Sequence, residues 1–116
     1  MPEYKVIFHI DETNKWELLL GNVRNLLNGM DNEKVIIEVL ANSEAVKYYV
    51  KNPDSDAIIN TMESLNIKGV KFVACNNALM AYKINKDNII HFVEIVPAGV
   101  VELVKKQSIG YVYIKP

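Results

Sequence analysis

The sequence contains a single cysteine, Cys75. No internal disulfide is possible, and no Cys-x-x-Cys or His-x-x-x-His pair offers a metal cage, so no metal site is expected. An excess of charge is lacking too. Lys and Arg total 13 against 14 Asp and Glu, a net charge of −1. The basic residues are scattered, with no run longer than Lys105-Lys106. Nothing here steers a polyanion, so no nucleic acid and no membrane surface is an expected partner. No stretch approaches the ~20 apolar residues of a membrane helix. Met1-Pro2-Glu3-Tyr4-Lys5 lacks the basic head and apolar run of a secretion signal, which makes a reducing cytoplasm the expected location. Gly-x-Gly-x-x-Gly, a phosphate loop and a Gly-x-Ser-x-Gly elbow are all missing. Nucleotide binding is not expected, and no cofactor is.

What is present suits one domain spanning residues 1–116, since half of the 116 residues are hydrophobic and 23% are charged. A chain of this length buries roughly two-thirds of its unfolded surface. Residues 4–10 read as a strand with an apolar middle. Trp16, Leu19, Leu20, Val23, Leu26 and Leu27 recur at helical spacing over 14–28. A second strand follows over 34–41, and Ser43 opens a short helix to about Val50. Asn52-Pro53 breaks it. Ile58, Ile59, Met62 and Leu65 suit a further helix, and 70–74 a third strand. A short helix over 78–84, a fourth strand over 89–96, a helix from Pro97 to about Gln107 and a fifth strand over 110–115 complete the order βαβααβαβαβ.

That alternation implies a three-layer α/β/α sandwich around a five-stranded, mostly parallel, flavodoxin-like sheet. Ligands of such sheets bind beyond the carboxyl ends of the strands. Those ends are His9-Ile10-Asp11, Ala41-Asn42-Ser43, Cys75-Asn76-Asn77 and Val96-Pro97-Ala98-Gly99. Cys75 lies between a strand and a helix, where free amides and the helix dipole favour a thiolate over a thiol. It reads either as a nucleophile or as a small hydrophobe closing a core strand. In a flavodoxin-like order strands one and three are neighbours, which brings His9 toward Cys75 as an assisting base. His91 belongs to the opposite rim. Asp11 either complements the helix dipole or orients His9 or a ligand. Asn76 and Asn77 are turn residues or amide donors to a ligand. Gly99, after Pro97, opens a helix whose amides can take an anion.

Four segments together resemble the DsrE/DsrF-like family in order and spacing: Phe8-His9-Ile10-Asp11-Glu12, Ala74-Cys75-Asn76-Asn77-Ala78-Leu79, Pro97-Ala98-Gly99-Val100 and Gln107-Ser108-Ile109-Gly110-Tyr111 with Tyr113-Ile114-Lys115-Pro116. The resemblance is to the small stand-alone members. It implies a homo-oligomer, trimer or hexamer. Relatives such as the DsrE and TusD subunits carry sulfur as a persulfide on a cysteine after the third strand, the place of Cys75. They follow it with a helix ending in Arg-Gly, whereas this chain has Ala81-Tyr82-Lys83. Two functions are therefore expected in competition. One is sulfur relay on Cys75 between donor and acceptor proteins. The other is a non-catalytic oligomer that binds a small ligand or a protein at the strand-end rim. Redox sensing by Cys75 is a third, with an external thiol as resolving partner.

Overall fold

The computed structural model describes residues 2–116. Five strands form one sheet: β1 (Glu3–Ile10), β2 (Lys34–Ala41), β3 (Lys71–Cys75), β4 (Val93–Val96) and β5 (Val112–Ile114). Four α-helices connect them: α1 (Trp16–Gly29), α2 (Asp56–Ile67), α3 (Asn76–Ala81) and α4 (Gly99–Ser108). A 3-10 turn, Thr13–Lys15, leads into α1, and the expected short helix after β2 is a 3-10 segment, Ser43–Tyr49.

Every strand pairing is parallel, and the order is β4-β3-β2-β1-β5. The three-layer architecture and parallel sheet expected from the alternation are present. The expected adjacency of strands one and three is not: β2 stands between them. The fourth strand is also shorter than expected. Ile89 forms an antiparallel bridge with Val50, and the Ile90 amide donates to the Tyr49 carbonyl. Those residues bond to Val50 and Tyr49, at the end of the 3-10 segment, instead of to β3.

The order explains the layers. From β1 to β4 the chain steps across the sheet in one direction, and the intervening helices fall on one face. After β4 it reverses and crosses back to β5 beside β1. Crossovers between parallel strands share one hand, so this reversal puts α4 on the other face. Val6, Phe8, Ile10, Val39, Ala41, Phe72 and Ala74 turn toward the first face. They meet Trp16, Leu19, Val23, Tyr49, Met62, Leu65 and Leu79 in one large core. Burial of this kind is worth about 25 cal/mol per Å² of apolar surface and dominates folding. On the α4 face only a small cluster forms, Ile7, Leu40 and Val73 with Val96, Leu103 and Tyr111.

Candidate functional site

β3 exits toward α3 on the large-core face, while β4 exits toward α4 on the other. The carboxyl ends of these two neighbours are thus a topological switch point, where a crevice opens in α/β sheets. Cys75, the last residue of β3, stands there beside its register partner Val96. Its backbone is extended and caps α3. Strand alternation carries its side chain toward the start of α4, while at the end of β3 it also packs with Ala78 and Leu79 at the edge of the large core. The Gly99 amide, at the start of α4, donates to Cys75 Sγ at 3.2 Å. Cys75 is 6% exposed and borders an open groove of about 620 Å³, lined by Asn42, Ser43, Cys75, Asn77, Ala78, Ala81, Tyr82, Ala98, Gly99 and Val100.

Gly99 is glycine for want of space. A Cβ built on it lies 3.3 Å from the Cβ of Asn42 and 3.3 Å from the Cβ of Cys75. Only a bare Cα lets the helix start come close enough for its amide to reach the sulfur. Ser43, the next residue along the groove after Asn42, holds φ at +50°, a left-handed conformation uncommon outside glycine.

His9 does not meet Cys75 directly, because β2 separates their strands. Its ring is engaged on both sides. Nε2 lies 2.9 Å from Asn42 Oδ1, and Nδ1 lies 2.6 Å from the Tyr113 hydroxyl. An amide oxygen only accepts, so Nε2 donates to Asn42; in the neutral ring Nδ1 then accepts from the Tyr113 hydroxyl. Asp11 forms an ion pair with Lys115 at 2.9 Å. The Lys115 hydrogen bond is the main reason its carboxyl is held below the usual range. Asn77 lines the groove, whereas Asn76 turns its Nδ2 to the Met80 sulfur at 3.7 Å and its Oδ1 is buried without a partner. Cys75, Asn77 and Gly99 therefore come together. Among the described residues no three His, Cys, Asp or Glu side chains converge as a metal site.

The sequence alone assigns no role to two contributors. Asn42 is one of the strand-end residues, and Tyr113 belongs to the expected fifth strand. Their signal is positional: Asn42 follows β2, which is a central strand, and Tyr113 lies on the strand beside β1.

The DsrE/DsrF-like family model matches residues 19–116. The chain belongs to the DsrE/DsrF-like family. A solved structure, the protein of unknown function MTH1491 from Methanobacterium thermoautotrophicum, is 38% identical. The alignment covers 98% of this chain and 100% of that one, with a TM-score of 0.87. The ychN protein from E. coli shares the fold at 18% identity, with full coverage of both chains and a TM-score of 0.73. No curated protein sequence matches the chain. No helix among the described residues is long and apolar enough to cross a membrane.

Proposed function

We propose that this DsrE/DsrF-like domain is a sulfur-relay protein that carries sulfane sulfur as a persulfide on Cys75. The observation that carries this reading is the Gly99 amide donating to Cys75 Sγ at the edge of an open groove. That N–H points at the atom that carries negative charge when the thiolate, the nucleophilic form, attacks. The Cys75 thiolate attacks the outer sulfur of a donor persulfide. A new S–S bond forms on Cys75, the donor's S–S bond breaks, and the donor leaves as a thiolate. An acceptor thiolate then attacks the outer sulfur on Cys75, and the Cys75 thiolate returns. No net oxidation or reduction occurs, so no redox cofactor enters the cycle.

The test is intact mass after incubation with polysulfide. The expected gain is one sulfur atom, absent in Cys75→Ser. No gain, or a gain that survives the substitution, overturns the reading and favours a binding role for the groove.

We also propose that the chain works as a homo-oligomer, trimer or hexamer. Val100, Val101, Val104 and Ile109 are exposed on or just after α4, with Val100 at 66% and Val104 at 61%. An apolar row of this kind on a surface helix suits contact with another copy. Light scattering of the purified chain tests it, and a monomer at micromolar concentration refutes it.

A further inference from the structure

The groove at Cys75 has no cationic side chain in its lining. A sulfur anion held there depends on neutral donors. One is the Gly99 amide, already on Sγ. The persulfide reading places a second sulfur farther into the groove, beyond that amide. We propose that Asn42 presents its Nδ2 amide to this outer sulfur, and that His9 and Tyr113 are positioning residues that fix the amide's direction.

An asparagine side chain has a donor end and an acceptor end, and a half-turn exchanges them. With Oδ1 toward the groove, Asn42 repels a sulfur anion; with Nδ2 toward it, Asn42 stabilises one. The His9 Nε2–H claims Oδ1 at 2.9 Å on the β1 side. Nδ2 is left for the other side, where it lies 3.6 Å from the Cβ position that Gly99 leaves empty. No side chain stands at that spot, which Cys75 Cβ borders at 3.3 Å. No hydrogen bond from Nδ2 forms among the described residues. The backbone of Asn42 is tied at both ends, its amide to the Ile10 carbonyl at 3.0 Å and its carbonyl to the Ala45 amide at 3.2 Å.

Tyr113 acts one step further out. Its hydroxyl on Nδ1, at 2.6 Å, keeps the ring proton on Nε2, where Asn42 needs it. Without that hydroxyl the imidazole can carry the proton on Nδ1, and its bare Nε2 then repels Oδ1. None of the three residues makes or breaks a bond in sulfur transfer. Their effect is on which charge state the outer sulfur holds.

The experiment loads the chain with polysulfide and follows alkylation of the persulfide by iodoacetamide against pH. Asn42→Ala is expected to slow alkylation about fivefold on the acidic limb of the profile, where the anion is the minor form, the worth of one hydrogen bond. The whole profile moves to higher pH. Tyr113→Phe is expected to shift it in the same direction by less, and to add nothing in an Asn42→Ala background. Imidazole ¹⁵N spectra read the tautomer directly: Nε2–H in the parent, a mixture in Tyr113→Phe. An unchanged profile in Asn42→Ala overturns the proposal. So does a Tyr113→Phe effect that persists without Asn42, or an Nδ1–H tautomer in the parent. The proposal rests on the sulfur-relay reading. A chain that does not load overturns both, whereas one that loads with an Asn42-independent profile overturns the Asn42 role alone.

Discussion

On the face of the sheet beneath α1 and α2, β1 presents Val6, Phe8 and Ile10, and β2 presents Ile37, Val39 and Ala41. On the α4 face the same strands present Ile7 and His9, and Glu38 and Leu40, while β3 adds Lys71, Val73 and Cys75. The first face is closed by large side chains whose polar atoms are satisfied. Trp16 Nε1 donates to the Ala45 carbonyl at 2.9 Å, and the Tyr49 hydroxyl to the Val73 carbonyl at 3.0 Å. The second face has one helix, a small apolar cluster and a carboxylate at its centre. Stability resides on one side of the sheet, and the groups able to change charge or react lie on the other.

The largest effect that sharpens this contrast is on the closed face. Trp16→Ala should cost about 3–5 kcal/mol, the range for emptying a buried aromatic site. Val104→Ala on α4 should stay within about 0.5 kcal/mol, as exposed positions do. Urea unfolding of the two variants checks both. Similar losses would mean that α4 is as well anchored as α1.

Glu38 gives the next effect. It is 1% exposed in a central strand, and neither carboxylate oxygen has a hydrogen-bond partner. Lys106 of α4 lies 3.4 Å from Oε1 and 3.9 Å from Glu102, while Lys71 beside it pairs with Glu94 at 2.9 Å. Burial, and then the neighbouring Glu102 carboxyl, push Glu38 up from 4.5 to about 7. Between those values the folded chain keeps a proton that the unfolded chain has released. Stability should therefore fall as pH rises through this window, by on the order of 3 kcal/mol, and level off above it. Asp11 and Glu44 are shifted down, so their contributions are present above the normal carboxylate range and lost only below it. Glu38→Gln should remove most of the slope. A parent protein equally stable at pH 5 and pH 7.5 would break the contrast, because Glu38 would then behave as a surface acid.

The layers were readable because helical spacing over 14–28 and the apolar run of β2 leave little choice. Strand order was not. Alternating strands and helices specify parallel pairing, but they do not say which strand lies beside which. That one ambiguity moved His9 away from Cys75 and hid Asn42, whose role exists only because β2 lies between β1 and β3. The unlike faces were partly legible. Val35-Ile36-Ile37-Glu38-Val39-Leu40-Ala41 reads as a uniformly apolar strand until alternate residues are separated. Only then do Glu38, and Asn42 beyond it, fall on the same side as Cys75.

A smaller effect on the fold comes from the outer side of α4. Val104→Glu places a charge in the exposed apolar row. It should leave the unfolding free energy within about 0.5 kcal/mol while shifting the proposed oligomer toward smaller species. Light scattering across a dilution series reads the shift. An unchanged assembly would put the contact between copies elsewhere, and the apolar row would then need another occupant.

Gly99→Ala has the smallest expected effect on stability and the most direct bearing on the two faces. The added methyl meets Asn42 and Cys75 at 3.3 Å each, so one neighbour must yield by a few tenths of an ångström. That crowding costs about 1 kcal/mol, toward the low end for overpacking. Replacing glycine also restricts the unfolded chain, which returns about 0.4–1 kcal/mol. The two nearly cancel, so the thermal midpoint should barely move. The sulfur is affected differently, because the start of α4 must retreat and the 3.2 Å amide contact lengthens. Alkylation of Cys75 at neutral pH should slow severalfold while the fold stays intact. If stability instead falls by several kcal/mol with reactivity unchanged, Cys75 is a core residue of the closed face, and the α4 side has no reactive centre. Reactivity lost without stability places the sulfur with Glu38 and His9, on the side of the sheet where charge can change.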